Sequence, residues 1–194
     1  AIAGIVADHP DIPLVFDPVL TSGHGDDLAG DAVIAAMREF LLPLTTVLTP
    51  NVPEARRVAE FQADAGEPGI DFCGQRLVAM GARYVLITGT HERTPEVINT
   101  LHGRDGVLRR DCWKRLPGSY HGSGCTLASA IAGHLAGGAG IEDAVGAAQD
   151  YTWQTLASGF RPGRGQFIPN RFFRTRNAGG NAGLNETEGT DNGR

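Results

Sequence analysis

The sequence predicts an α/β fold in three layers, helices covering both faces of a mostly parallel central sheet, and two features carry that prediction. Short apolar, β-rich runs alternate with stretches of helical periodicity, and several of the runs end in Asp-Pro, Thr-Pro-Asn or Thr-Gly, the punctuation of strand ends. Strands separated by helices of this length imply parallel pairing, which buries both sheet faces.

The elements follow in order. Residues 1–10 (AIAGIVADHP) are helix-like and run straight into a strand at 12–16 (IPLVF), which ends at Asp17-Pro18. Residues 31–42 have helical spacing at Val33, Ile34, Met37, Phe40 and Leu41, and Pro43 stops them. A strand at 45–48 (TTVL) reaches Thr49-Pro50-Asn51, and helices at about 53–61 and 71–80 follow, with Gly81 as the C′ glycine of the latter. Residues 83–88 (RYVLIT) read as a buried strand entering Gly89. Strands at 96–102 and 106–113 flank a turn, and helices cover 124–135 and 141–156. Residues 1–173 therefore form the domain. Residues 174–194 are rich in Asn and Gly with one leucine, too few apolar groups to offset ordering entropy, and are expected to be a disordered polar tail.

A chain of 194 residues with 41% hydrophobic and 20% charged residues and a net charge of −5 fits a globular protein with a sizeable core, without the basic footprint of a nucleic-acid binder. Cys73, Cys112 and Cys125 are too few and too scattered for a disulfide framework, and no CxxC pair suggests zinc. An odd count fits a reducing compartment, so a cytoplasmic location is expected, and no apolar run suggests a membrane span. Lys114 is the only lysine. Any phosphate site in this chain is expected to work without a lysine unless a partner supplies one.

Three segments carry chemistry. In His121-Gly122-Ser123-Gly124-Cys125-Thr126-Leu127, two glycines let a backbone approach a ligand closely, and the helix start that follows leaves amide N–H groups aimed at an anion. A plain turn with Ser123 as helix cap is the other reading. The Walker loop is excluded by the absence of any Gly-Lys pair, the dinucleotide fingerprint by Leu127, and the hydrolase elbow by His121. Cys125 at a helix start is a candidate proton acceptor, since the dipole favours thiolates, or else a small buried residue. Asn51 and Glu54, three apart at a helix start, could position Mg²⁺ with hard oxygen ligands, or form an ordinary capping box. Asp17 ends a buried strand at the sheet edge where α/β ligands bind, so Asp17, Asn51 and Gly89 could converge there.

Together these segments resemble the ribokinase-like superfamily, and within it the hydroxymethylpyrimidine and phosphomethylpyrimidine kinases of thiamine synthesis. The resemblance rests on DPVL at 17–20, LLPLTTVLTPNVPEA at 41–55, HGSGCTLASAIAGHLAGG at 121–138 and DAVGAAQDYTW at 143–153, and spans nearly all of 1–173. It implies ATP- and Mg²⁺-dependent phosphorylation of 4-amino-5-hydroxymethyl-2-methylpyrimidine and then of its monophosphate. Gly122, Ser123 and Gly124 would form the anion hole, and Cys125 would be the base. Asn51 and Glu54 would position the metal, with Asp17 near metal and phosphates and Thr88 and Gly89 touching the nucleotide. Two departures stand out. Thr88-Gly89-Thr90-His91 stands where family members often have Lys-Gly-Gly-His, and the family's first β–α units have no counterpart before Ala1. The chain is thus expected to be the C-terminal, nucleotide-and-catalysis part of a longer enzyme. A pyridoxal kinase, a non-catalytic nucleotide-binding remnant, an unrelated nucleotide module, and a homodimeric state all stay open.

Overall fold

The computed structural model describes residues 1–22, 26–60 and 69–178. Its elements are α1 (Ile2–Ala7), β1 (Val15–Phe16), α2 (Asp31–Ala36), β2 (Val47–Leu48), α3 (Val52–Val58), α4 (Ile70–Ala79), β3 (Tyr84–Thr88), β4 (Glu96–Gly103), β5 (Gly106–Lys114), α5 (Ser123–Ala136), α6 (Ile141–Ala157) and α7 (Phe173–Ala178). The five strands form one mixed sheet in the order β1-β2-β3-β4-β5. The pairs β1–β2 and β2–β3 are parallel, whereas β3–β4 and β4–β5 are antiparallel. Parallel strands need helical crossovers, which α2, α3 and α4 supply. The β4–β5 connection is a two-residue turn, Arg104-Asp105, closed by Gly106 at φ +124°, and so can only be antiparallel.

The period-2 alternation of the strands sorts the core into two layers. Phe16, Leu48, Val85 and Ile87 face one cluster with Ile34, Val52, Ala55, Val58, Cys73 and Leu77 from α2, α3 and α4. Val15, Val47, Tyr84, Leu86 and Leu101 face the other, with Leu127, Ile131, Val145 and Ala148 from α5 and α6. Fully burying an aliphatic side chain of this size is worth about 1.5–3 kcal/mol, so the two layers fix both the strand register and the helix faces.

Three boundaries differ from the sequence reading. The first strand is two residues long because its partner β2 is equally short. Leu14 already donates its N–H to the Thr46 hydroxyl (3.0 Å), and Ile12 is exposed. The helix from Asp31 widens into a π turn at Met37–Leu41 and tightens into a 3₁₀ turn at Leu42–Leu44. The Thr45 hydroxyl takes up the freed Leu41 carbonyl (2.8 Å). Of the expected tail, 174–178 lie within α7, and 179–194 fall outside the described residues. The end of α4 is as expected. Gly81 N–H reaches Val78 O (3.0 Å) and Ala82 N–H reaches Leu77 O (3.3 Å), a Schellman motif with Gly81 at φ +123°. Among the described residues no helix is long and apolar enough to cross a membrane.

Candidate active site

The carboxyl ends of β1, β2 and β3 lie side by side, and the residues that follow β1 and β3, Asp17 and Gly89, are ones the sequence singled out. Asp17 follows β1. Its Oδ1 accepts a hydrogen bond from the Thr49 hydroxyl (3.1 Å), just past β2. Burial pushes the Asp17 carboxyl above its ordinary value, and the Thr49 bond opposes this in part. Asn51 pairs with Thr88 at the end of β3 through an isolated parallel bridge, and Thr88 N–H donates to Pro50 O (2.9 Å).

Asn51 and Glu54 form the capping box at the start of α3. The Glu54 N–H donates to Asn51 Oδ1 (2.9 Å), and the Asn51 N–H donates to Glu54 Oε2 (2.9 Å). Glu54 Oε1 accepts from the Leu20 N–H (3.3 Å), tying the loop after β1 to α3. Burial raises the Glu54 carboxyl above its ordinary value. Its backbone hydrogen bonds from Asn51 and Leu20 oppose the rise, and the nearby Asp17 charge adds to it. Two partly buried carboxylates that repel one another suit a divalent cation, which would relieve the strain on both. Among the described residues, no group of three or more His, Cys, Asp or Glu side chains gathers as a metal cage.

Helix α5 brings the glycine-rich segment to the same end. Its N-cap is Gly122, not Ser123, and Gly122 sits in the left-handed region (φ +84°, ψ 14°), where only glycine is unstrained. The Thr126 N–H and hydroxyl both donate to Gly122 O (3.1 and 2.7 Å), locking the first turn. A Cβ on Gly124 would lie 3.4 Å from Asp17 Oδ2, so the start of α5 packs directly on the carboxylate at the end of β1. Cys125 is exposed, which removes its reading as a small core residue.

Gly89 follows β3 at this same end of the sheet, next to the Asn51–Thr88 bridge, but its amide is not free. Its N–H is already taken by Asn99 Oδ1 (3.1 Å), and a Cβ there would run into the Ile98 carbonyl. Asn99 is held in turn by Gln149 (2.8 Å), and Gln149 by Asp111 (2.7 Å). The loop after β3 is therefore braced from α6 and β5, and it has the Thr88 hydroxyl left to offer.

Sequence reasoning missed Thr49, the Asn99–Gln149–Asp111 chain and Arg171. Thr49 stood inside a quoted motif, so its partner Asp17 was within reach. Arg171 carried no signal, since its hydrogen bond to Thr126 spans 45 positions.

A family model described as phosphomethylpyrimidine kinase matches residues 1–170. The hydroxymethylpyrimidine/phosphomethylpyrimidine kinase of Mycobacterium bovis is 37% identical over 164 residues, which are 84% of this chain and 59% of that protein. The chain thus spans 59% of the length of this relative. Among solved structures, the pyridoxal kinase from Staphylococcus aureus in complex with ADP has the same fold, with a TM-score of 0.75 at 22% identity, covering 90% of this chain and 66% of that one. The phosphomethylpyrimidine kinase from Clostridium difficile 630 aligns with a TM-score of 0.63 at 28% identity, covering 79% of this chain and 61% of that one.

Proposed function

This chain belongs to the phosphomethylpyrimidine kinase family, and from that premise we propose that it forms the nucleotide-and-catalysis part, residues 1–173, of an ATP-dependent kinase for hydroxymethylpyrimidine and its monophosphate. The observation that carries this reading is the packing of the glycine start of α5 against Asp17, which sets an amide-rich turn and an acidic pair at one end of the sheet.

In the first transfer, the acceptor hydroxymethyl oxygen forms a bond to the γ-phosphorus of ATP. The bond from that phosphorus to the β–γ bridging oxygen breaks, and ADP leaves. The hydroxyl proton passes to Cys125 Sγ, which accepts it as the thiolate and becomes the thiol. The amides at Gly122, Ser123 and Gly124 face the charge that builds on the phosphoryl oxygens, and such pre-set donors typically contribute more than the base does. Asn51, Glu54 and Asp17 would hold Mg²⁺ through its waters. When bound, the ion neutralises phosphate charge. The Thr88 hydroxyl contacts the nucleotide phosphates, and Gly89 lets the loop that follows pass against the Ile98 carbonyl.

In the second transfer the acceptor is an ionised phosphate with no proton to remove, so Cys125 matters less. The test is steady-state phosphorylation by the full-length protein that carries this chain, with hydroxymethylpyrimidine, its monophosphate and pyridoxal as competing acceptors. Two sequential transfers to the pyrimidine support the reading. Preference for pyridoxal, or nucleotide binding without turnover, would replace it.

A further inference from the structure

The candidate phosphate site contains no lysine, yet a cation does lie against it. Arg171, 45 residues beyond Thr126, donates from Nε to the Thr126 hydroxyl (3.1 Å). Its Nη2 would stand 3.2 Å from a Cβ built on Gly122. The guanidinium therefore occupies the side of Gly122 that a side chain would fill. The glycine accommodates the left-handed turn and the arginine together.

Arg171 is held there by its backbone. The Tyr151 hydroxyl donates to Arg171 O (3.0 Å), and the preceding Asn170 N–H donates to Thr155 O (2.9 Å), both anchoring the segment to α6. A second strap forms just before it, where His121 N–H reaches Phe167 O (2.9 Å) and Phe167 N–H reaches Ser119 O (2.8 Å). The segment 167–171 is thus stitched to both flanks of the glycine turn. Among the described residues Arg171 has no carboxylate partner. Arg38, Arg57, Arg76, Arg109 and Arg110 are each paired with one. A guanidinium fixed through Nε keeps its two Nη groups, the pair suited to bidentate phosphate contact.

We propose that Arg171 is a catalytic residue of this kinase, donating from its Nη groups to the oxygens of the transferring γ-phosphoryl and supplying the positive charge that a lysine-free loop cannot. No bond to Arg171 forms or breaks, and it stabilises charge as the phosphoryl moves. The inference rests on the kinase reading above.

The experiment compares wild type, Arg171→Gln and Arg171→Lys in the full-length protein, reading kcat, unfolding midpoint, and affinity for ADP against the non-hydrolysable triphosphate AMP-PNP. The glutamine variant is expected to lose on the order of 100-fold in kcat. It should also erase a wild-type preference for AMP-PNP over ADP of about tenfold, with ADP affinity within about threefold. Lysine should recover part of both. If glutamine leaves kcat and the preference within about threefold of wild type, the proposal is overturned. Equal loss of ADP and AMP-PNP affinity with a lowered unfolding midpoint also overturns it, because that is the signature of a structural strut. Should the glutamine variant not fold, the lysine variant decides, since a charge role keeps the triphosphate preference and a strut role does not. A wild type that binds AMP-PNP without phosphorylating the pyrimidine sinks the kinase reading alone, and the triphosphate preference still decides for or against Arg171. A wild type that binds neither nucleotide overturns both.

Discussion

Helices α3 and α5 both start at the sheet end that carries Asp17, yet their first turns are finished in opposite ways. At α3 the protein satisfies its own amides: Asn51 and Glu54 cap each other, and Glu54 also secures Leu20. At α5 no side chain caps the first turn, the N-cap glycine is left-handed, and Cys125 is exposed. Helices α2, α4 and α6 also begin at uncapped glycines, Gly30, Gly69 and Gly140, but those lie in ordinary extended backbone with φ between −61° and −68°. The lack of a cap is therefore common in this fold. The left-handed turn, pressed against a carboxylate and flanked by an arginine, is what distinguishes α5. The α3 start is closed by its own side chains, and the α5 start is left open.

Four measurements can break or sharpen that contrast. Glu54→Ala should have the largest effect, leaving the Asn51 and Leu20 N–H groups without their acceptor. At about 1–3 kcal/mol for each orphaned buried donor, urea unfolding should show a loss of roughly 3 kcal/mol or more. Cys125→Ala should leave stability within about 0.5 kcal/mol, since the residue is exposed. It should slow the first transfer by about 100-fold and the second by far less. Equal slowing of both would remove the base role.

A smaller contrast lies within the glycines. Gly122→Ser forces a side chain into φ +84° beside Arg171 and should cost about 1–2 kcal/mol. Gly140→Ser adds a cap in open space at φ −64° and should be neutral or stabilise by a few tenths of a kcal/mol. Matching losses at the two sites would mean that backbone hand is not what sets α5 apart.

The smallest effect is on pH dependence. Asp17 and Glu54 both titrate above their ordinary values of 3.8 and 4.5 when folded, chiefly through burial. The folded state then holds more protons than the unfolded chain in the window just above those values. Their contribution to stability is full below that window and is lost as pH rises through the folded values. Asp17→Asn, which can still accept from Thr49, should flatten this decline in unfolding midpoints measured from roughly pH 4 to 7. A slope unchanged by the substitution would mean that Asp17 is not the source.

Much of this arrangement was legible in the chain because it is local. The capping box lies within four residues, the Gly81 helix end within a turn, and the alternation at Tyr84–Thr88 within one strand. Both readings offered for Asn51 and Glu54 were physically sound, and the hydrogen bonds realise the cap while leaving metal positioning as a proposal. The alternative reading of Ser123 as the cap failed by one residue, because helix periodicity does not report the hand of the turn that precedes it. Arg171 and the Asn99–Gln149–Asp111 brace were invisible, since side-chain bonds across 38 to 50 positions leave no periodic trace.

The sequence by itself determined the alternation of strands and helices, the glycine-rich turn before α5, the scarcity of lysine and the family resemblance, all of which are read from composition and from local patterns along the chain. Only the tertiary structure decided that β4 pairs antiparallel with β3, that Gly124 rests on Asp17, that the Gly89 amide is already taken, and that an arginine 45 positions beyond Thr126 stands over Gly122. The physical reason is that the two buried layers first fix the strands and helices in space. That fixed packing then brings together groups whose separation in sequence carries no information about their contact.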